Sequence, residues 1–205
     1  MHPHSELQLS YEDRRALLAR ARRAIVETVS CQALPDLPPP EGRLAQPAGA
    51  FVTLRCNGKL RGCIGRIEAD HALAETVAQC AITAALQDPR FKPLRMDEMN
   101  ALEIEISVVS ELRSVRAEEI QPGIHGILVT RGAGRGLLLP QVAPEHQWSA
   151  TEFLEAACRK ANLQPDAWRD PETELFAFSA EVFSETGTGF VVEDQPAGSQ
   201  LHPLA

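Results

Sequence analysis

Asn57-Gly58 lies between two β-rich runs, Phe51-Val52-Thr53-Leu54-Arg55-Cys56 and Leu60-Arg61-Gly62-Cys63-Ile64-Gly65. No other pair of residues restricts the chain as strongly. An Asn-Gly pair in this setting favours a two-residue hairpin turn, because both central positions need positive φ. With that turn Cys56 pairs with Lys59, Leu54 with Arg61, Val52 with Cys63, and Phe51 with Ile64. Alternation then places Arg61 and Cys63 on one face with Val52 and Leu54, and Phe51 and Ile64 on the other. Gly62 and Gly65 carry no side chain, so a backbone or a ligand can approach closely there.

Around the hairpin the periodicity alternates between helix and strand. Ser10 to Ser30 reads as a helix opened by a Ser10/Asp13 capping box, with Leu17, Leu18, Ala21, Ile25 and Val29 on one stripe. Arg14, Arg15, Arg22 and Arg23 fall mostly off that stripe and read as a solvated face. Pro35 to Pro47 forms an extended connector. Asp70 is placed to cap a helix over 71–87, whose small apolar face (Leu73, Val77, Cys80, Ala81, Ala84) suits burial against a sheet. Pro89 and Pro93 end it. Leu102, Ile104, Ile106 and Val108 alternate with polar residues, as on a strand with one wet face. Gly126–Thr130 and Gly136–Leu139 flank a second hairpin tip at 131–135. Ser149 and Glu152 box the start of a helix reaching Asn162, and a single final strand is expected from Leu175 to Ser184. Turns and single helices join these strands, which makes the fold class α+β, mainly an antiparallel sheet with flanking helices. One domain is expected over 10–185, between disordered segments at 1–9 and 186–205. Removing the latter should leave stability nearly unchanged.

The net charge of −8 and pI near 5.3 disfavour non-specific nucleic-acid binding. No apolar run approaches the length of a membrane span, and the N-terminus has neither basic nor apolar signal regions. Five cysteines, an odd count, follow no disulfide framework. Cys56 and Cys63 lie about 13 Å apart along the expected hairpin, too far to bridge. Reduced thiols in a cytoplasmic protein follow. No Cys-x-x-Cys and no iron–sulfur spacing occurs.

Cys63 is the cysteine whose setting suggests reactivity, since Arg61 on its face would favour a thiolate. A nucleophilic role also needs a base. His125, in a glycine-flanked loop, is the candidate. The alternative is a cysteine buried simply as a small apolar residue. Arg61 and Arg90 together suit an anionic small molecule, with Gly62 and Gly65 allowing close approach. Asp88 either joins that site or pairs with one arginine structurally. Arg61, Cys63, Asp88, Arg90 and His125 are therefore expected to line one concave surface. Cys63, His71, Cys80 and His125 lack zinc spacing, so no metal is expected. Gly132-Ala133-Gly134-Arg135-Gly136 lacks the Gly-Lys-Ser/Thr ending of a P-loop.

The Leu60–Gly65 stretch, Asp88-Pro89-Arg90-Phe91, Ile104-Glu105-Ile106-Ser107, His125-Gly126 and Leu139-Pro140-Gln141-Val142 occur in an order that resembles the AMMECR1 domain family, from about Tyr11 to Glu185. The resemblance implies an α+β fold with a larger and a smaller lobe. It also implies association with a Memo-like protein and a radical-SAM protein, and it brings no established activity; no cofactor is expected. Three functions stay open on this basis: a ligand-binding or adaptor subunit, a small cysteine-dependent enzyme acting on an anionic molecule, and a nucleic-acid-binding domain.

Overall fold

Each of the two expected hairpins forms, and each belongs to its own sheet. The computed structural model describes residues 9–31, 35–186 and 190–191, with only the backbone at 31, 190 and 191. In chain order the elements are α1 (Tyr11–Cys31), β1 (Gly49–Cys56), β2 (Lys59–Arg66), α2 (Leu73–Leu86), β3 (Leu102–Val109), β4 (Arg113–Ser114), β5 (Gly126–Arg131), β6 (Gly134–Leu138), α3 (Val142–His146), α4 (Ala150–Lys160), β7 (Glu174–Phe178), β8 (Ala180–Ser184) and β9 (Phe190–Val191). The α+β class is as expected, and the chain divides into a larger and a smaller compact unit. The larger runs to Glu111 and resumes over Glu181–Phe190; the smaller holds Leu112–Ala180.

The larger unit is built on a five-stranded sheet of order β2-β1-β3-β8-β9. Val52 and Leu54 of β1 and Ile104 and Ile106 of β3 are fully buried. They share one core with Val77, Cys80, Ala81 and Ala84 of α2 and with Leu17, Ala21 and Ile25 of α1. Each such aliphatic side chain contributes about 1.5–3 kcal/mol on burial. The helical stripes of the sequence are thus the faces laid against the sheet. The Ser10/Asp13 box opens α1, with Asp13 N donating to Ser10 Oγ at 3.1 Å and Ser10 N to Asp13 Oδ2 at 2.9 Å.

The hairpin register departs from expectation. The turn pairs Cys56 with Lys59, but a bulge follows: Arg55 faces Leu60 while Leu54 faces Gly62, so Arg61 has no partner. The extra residue reverses every later pairing. Val52 therefore faces Ile64 and not Cys63; Thr53 faces Cys63, and Phe51 faces Gly65. Cys63 leaves the face of Val52 and Leu54 and points away from α2.

Further expectations are corrected. Asp70 does not cap α2, which starts at Leu73 behind Ala72; it pairs with Arg66 at 2.7 Å and with His71 at 2.8 Å. The final strand is two strands, because Ser179 interrupts it and β7 and β8 join different sheets. The second hairpin tip is shorter than 131–135, since Arg131 already pairs with Gly134. The tail is not wholly without structure, as Phe190–Val191 forms β9 and the Thr186 hydroxyl bonds Glu103. Leu9, at the end of the other expected disordered segment, is buried. Residues 1–8, 187–189 and 192–205 lie outside the described residues.

The arginines of α1 are also not simply solvated. Arg14 pairs with Glu181 at 2.6 Å, and Arg22 grips Glu185 through two bonds of 2.5 Å while donating to the Leu102 carbonyl at 2.6 Å. Glu185 in turn accepts from Ile104 N at 3.0 Å. This half-buried pair ties α1 to β3, so Glu185→Ala should lower the unfolding free energy by about 2 kcal/mol through lost charge-assisted bonds. Arg23→Ala removes the exposed pair with Glu27 and an exposed bond to the Asp36 carbonyl, and should change much less. Urea denaturation of both variants checks this; equal effects would refute the latch.

The smaller unit carries the sheet β4-β7-β5-β6, all antiparallel. α4 covers it through Phe153, Leu154, Ala157 and Cys158, which pack with Ile127, Val129 and Ala177. Its capping box forms as expected, with Ser149 N donating to Glu152 Oε2 at 2.8 Å and Glu152 N to Ser149 Oγ at 3.3 Å.

Candidate functional site

β2 borders the five-stranded sheet, so alternate amides and carbonyls on it face away from β1. Cys63 is one such residue, and the segment after α2 takes up both of its groups. Asp88 Oδ2 accepts from Cys63 N at 2.9 Å, and an Arg90 terminal nitrogen donates to Cys63 O at 3.1 Å. Asp88 also accepts from Arg90 N at 3.1 Å, Arg90 Nε at 2.9 Å and the Arg90 terminal nitrogen at 2.7 Å. Pro89 stops the helix, the Asp88 side chain turns the chain back to Arg90 N, and the pair caps the sheet edge as a neighbouring strand would. Leu94 N, bonded to Ala85 O at 2.8 Å, returns the segment to α2. The Asp88 side chain is 1% exposed and that of Arg90 53%. The Arg90 guanidinium holds the Asp88 carboxyl well below the usual carboxylate range, against the opposing effect of burial.

Arg61, the bulged residue, is committed elsewhere. It forks onto Glu98 at 2.7 and 3.0 Å and donates to the carbonyls of Lys92 at 2.9 Å and Pro93 at 3.3 Å. Its pairing lowers the Glu98 carboxyl. The two guanidinium forks read as a joint anion clamp are thus each engaged by a carboxylate of the chain. Gly62 admits the Ala84 carbonyl of α2, and Gly65 lies under the Phe51 ring, so both close approaches are made by the protein itself.

The Cys63 side chain is half-buried, and its sulfur accepts from Thr53 Oγ1 at 3.4 Å. Arg90 interacts with it as well. Burial pushes the Cys80 thiol up to about 11 and raises Cys56 and Cys158. All four are free thiols. His125 belongs to the smaller unit and is 4% exposed. Its Nδ1 accepts from Gln121 N at 3.2 Å, so the neutral ring carries its proton on Nε2 and presents a donor there.

Within the larger unit, Cys63, Asp88 and Arg90 therefore come together, while Arg61 turns to Glu98. Thr53 and Glu98 were not singled out in the sequence. The signal for Thr53 was hidden by the bulge. The signal for Glu98 was its place three residues after Arg95, whose amide it accepts at 3.0 Å. Among the described residues, no three His, Cys, Asp or Glu side chains gather as a metal ion would require, and no helix is long and apolar enough to cross a membrane.

The chain is thus an α+β protein of antiparallel sheets, with an edge strand capped by an Asp-Pro-Arg turn. The AMMECR1 family model matches residues 18–183, and the chain belongs to the AMMECR1 family. It is 43% identical over 188 residues to Protein MK0488 of Methanopyrus kandleri, covering 87% of this chain and 91% of that one. A Methanothermobacter thermautotrophicus protein is 42% identical over 189 residues, covering 87% and 97%. The crystal structure of Uncharacterized Protein PH0010 from Pyrococcus horikoshii is similar with a TM-score of 0.78 and 37% identity, over 83% of this chain and 90% of that one.

Proposed function

We propose that the chain is a ligand-binding or adaptor subunit that serves Memo-like and radical-SAM proteins, and that the capped edge of β2 around Cys63 is its recognition surface. The observation that carries this reading is the Asp88–Arg90 cap. It fixes the Cys63 backbone from outside the sheet while leaving the thiol half-buried and the guanidinium of Arg90 half-exposed. A surface fixed in advance loses little freedom on binding. The alternative is a cysteine-dependent enzyme acting on an anionic small molecule, supported by the Thr53 hydroxyl bonded to the Cys63 sulfur. A base for that thiol is harder to assign, because His125 already accepts at Nδ1.

Co-purification from cells making the tagged chain with both partner proteins tests the reading. Wild type should retain a partner. Cys63→Ser and Arg90→Gln should each reduce its yield several-fold, with the exposed control Arg15→Gln unchanged. Retention equal across all variants would displace the surface, and no retention by wild type would reject the adaptor role. The enzyme reading instead requires that Cys63→Ser abolish the turnover of some metabolite by the isolated chain.

A further inference from the structure

A separate feature lies in the smaller unit, in an open pocket of about 610 Å³ between the segment 162–170, which follows α4, and Arg131 at the end of β5. Its volume falls in the range of small-molecule sites. Leu163 and Ala167 supply apolar wall and pack against the unit's core. Arg131 also lines the pocket, but its fork is divided between Asp170 at 3.0 Å and Glu172 at 3.1 Å. Two opposite charges remain. Arg169 and Asp166 both line the pocket, and among the described residues neither side chain has an ion-pair partner.

The framework around them is already fixed. Leu163 N bonds Cys158 O at 2.9 Å, Ala167 N bonds Gln164 O, Arg169 N bonds Asp166 O, and Asp170 N bonds Ala167 O, each of these three at 3.0 Å. Arg169 lies over the Trp168 ring at 4.5 Å from its centroid. Stacking occupies the face of a guanidinium and leaves the in-plane N–H donors available for a carboxylate. Asp166 and Arg169 stand three residues apart across a single 3-10 turn, Ala167–Arg169, where such positions align. A ligand that satisfies both must carry an anion and a cation a few ångströms apart.

We infer that this pocket binds the zwitterionic head of an α-amino acid, with Arg169 taking the carboxylate, Asp166 taking the ammonium, and an apolar side chain lying on Leu163 and Ala167. The site is independent of the β2 surface. Titration of the isotope-labelled full chain by amide NMR tests it, with three probes: L-leucine, leucinamide (no carboxylate) and 4-methylpentanoate (no ammonium). Leucine should shift amides over 162–170 saturably. Each singly charged analogue should bind about three- to fivefold more weakly, the effect of one lost solvent-exposed ion pair. Arg169→Gln should weaken leucine while leaving leucinamide unchanged, and Asp166→Asn should weaken leucine while leaving 4-methylpentanoate unchanged. Both side chains are exposed, so the variants should keep the wild-type amide pattern elsewhere. Equal binding of leucine and 4-methylpentanoate would reduce the pocket to a simple anion site and overturn the inference. So would a leucine titration that leaves 162–170 unshifted.

Discussion

Asp88→Asn is expected to lower the unfolding free energy by about 3 kcal/mol at neutral pH, the scale of a broken buried ion pair. Asp88 is 3% exposed and accepts from two backbone amides and the Arg90 fork. An amide side chain has one acceptor oxygen in place of two, so it cannot hold the Cys63 and Arg90 amides together. Its NH₂ would also face the guanidinium. Arg90 is half-exposed and regains water, which keeps the loss at the lower end of the range. The pH dependence follows from the direction of the Asp88 shift. Its carboxyl is depressed in the folded chain, so the stabilisation is complete above the unfolded value near 3.9 and is lost as pH falls through the folded value. The gap between wild type and Asp88→Asn should therefore narrow as pH falls from neutrality to about 2. Urea titrations across that range measure it, and a constant gap would show that charge is not what the cap uses.

Much of this fold was legible because the local signals were strong. Asn57 and Gly58 both adopt positive φ, 51° and 74°, as the turn type demands. The apolar stripes of 10–30, 71–87 and 149–162 became the buried faces of α1, α2 and α4. Where the reading failed, the cause was a contact distant in sequence or a local irregularity that leaves periodicity untouched. The bulge at Arg61 moved Cys63 to the other face without altering any residue type. The break at Ser179 was invisible because Phe176, Phe178, Ala180 and Val182 keep alternating across it. Arg22 finds Glu185 far along the chain, and nothing in α1 announces that partner. The candidate site was half legible for the same reason. Asp88 and Arg90 carry their own turn and ion pair within three residues, but their docking on Cys63 depends on the length of α2 and the position of β2 at the sheet edge.

The two units share a packing device, and it predicts the other large effect. In each, the return strand of the hairpin presents a glycine to alanines of the helix that covers the sheet. Gly62 of β2 meets the backbone of Ala84 in α2, and Gly136 of β6 meets Ala157 of α4 and the Ala161 that follows it. A Cβ at Gly62 would overlap the Ala84 carbonyl oxygen and lie 3.1 Å from its carbon, so α2 would have to lift from the sheet. The atom struck is backbone, so trimming the Ala84 side chain gives no relief. Gly62→Ala should cost about 3 kcal/mol, the upper part of the overpacking range, after the small gain from a stiffer unfolded chain. Gly58→Ala is the contrasting substitution: it has open space but a φ of +74°, and should cost about 1–2 kcal/mol from backbone conformation alone. Chemical denaturation of the two variants separates close packing from turn conformation as the constraint on this hairpin. If Gly62→Ala proves no more costly than Gly58→Ala, the helix is not seated on β2 through that glycine.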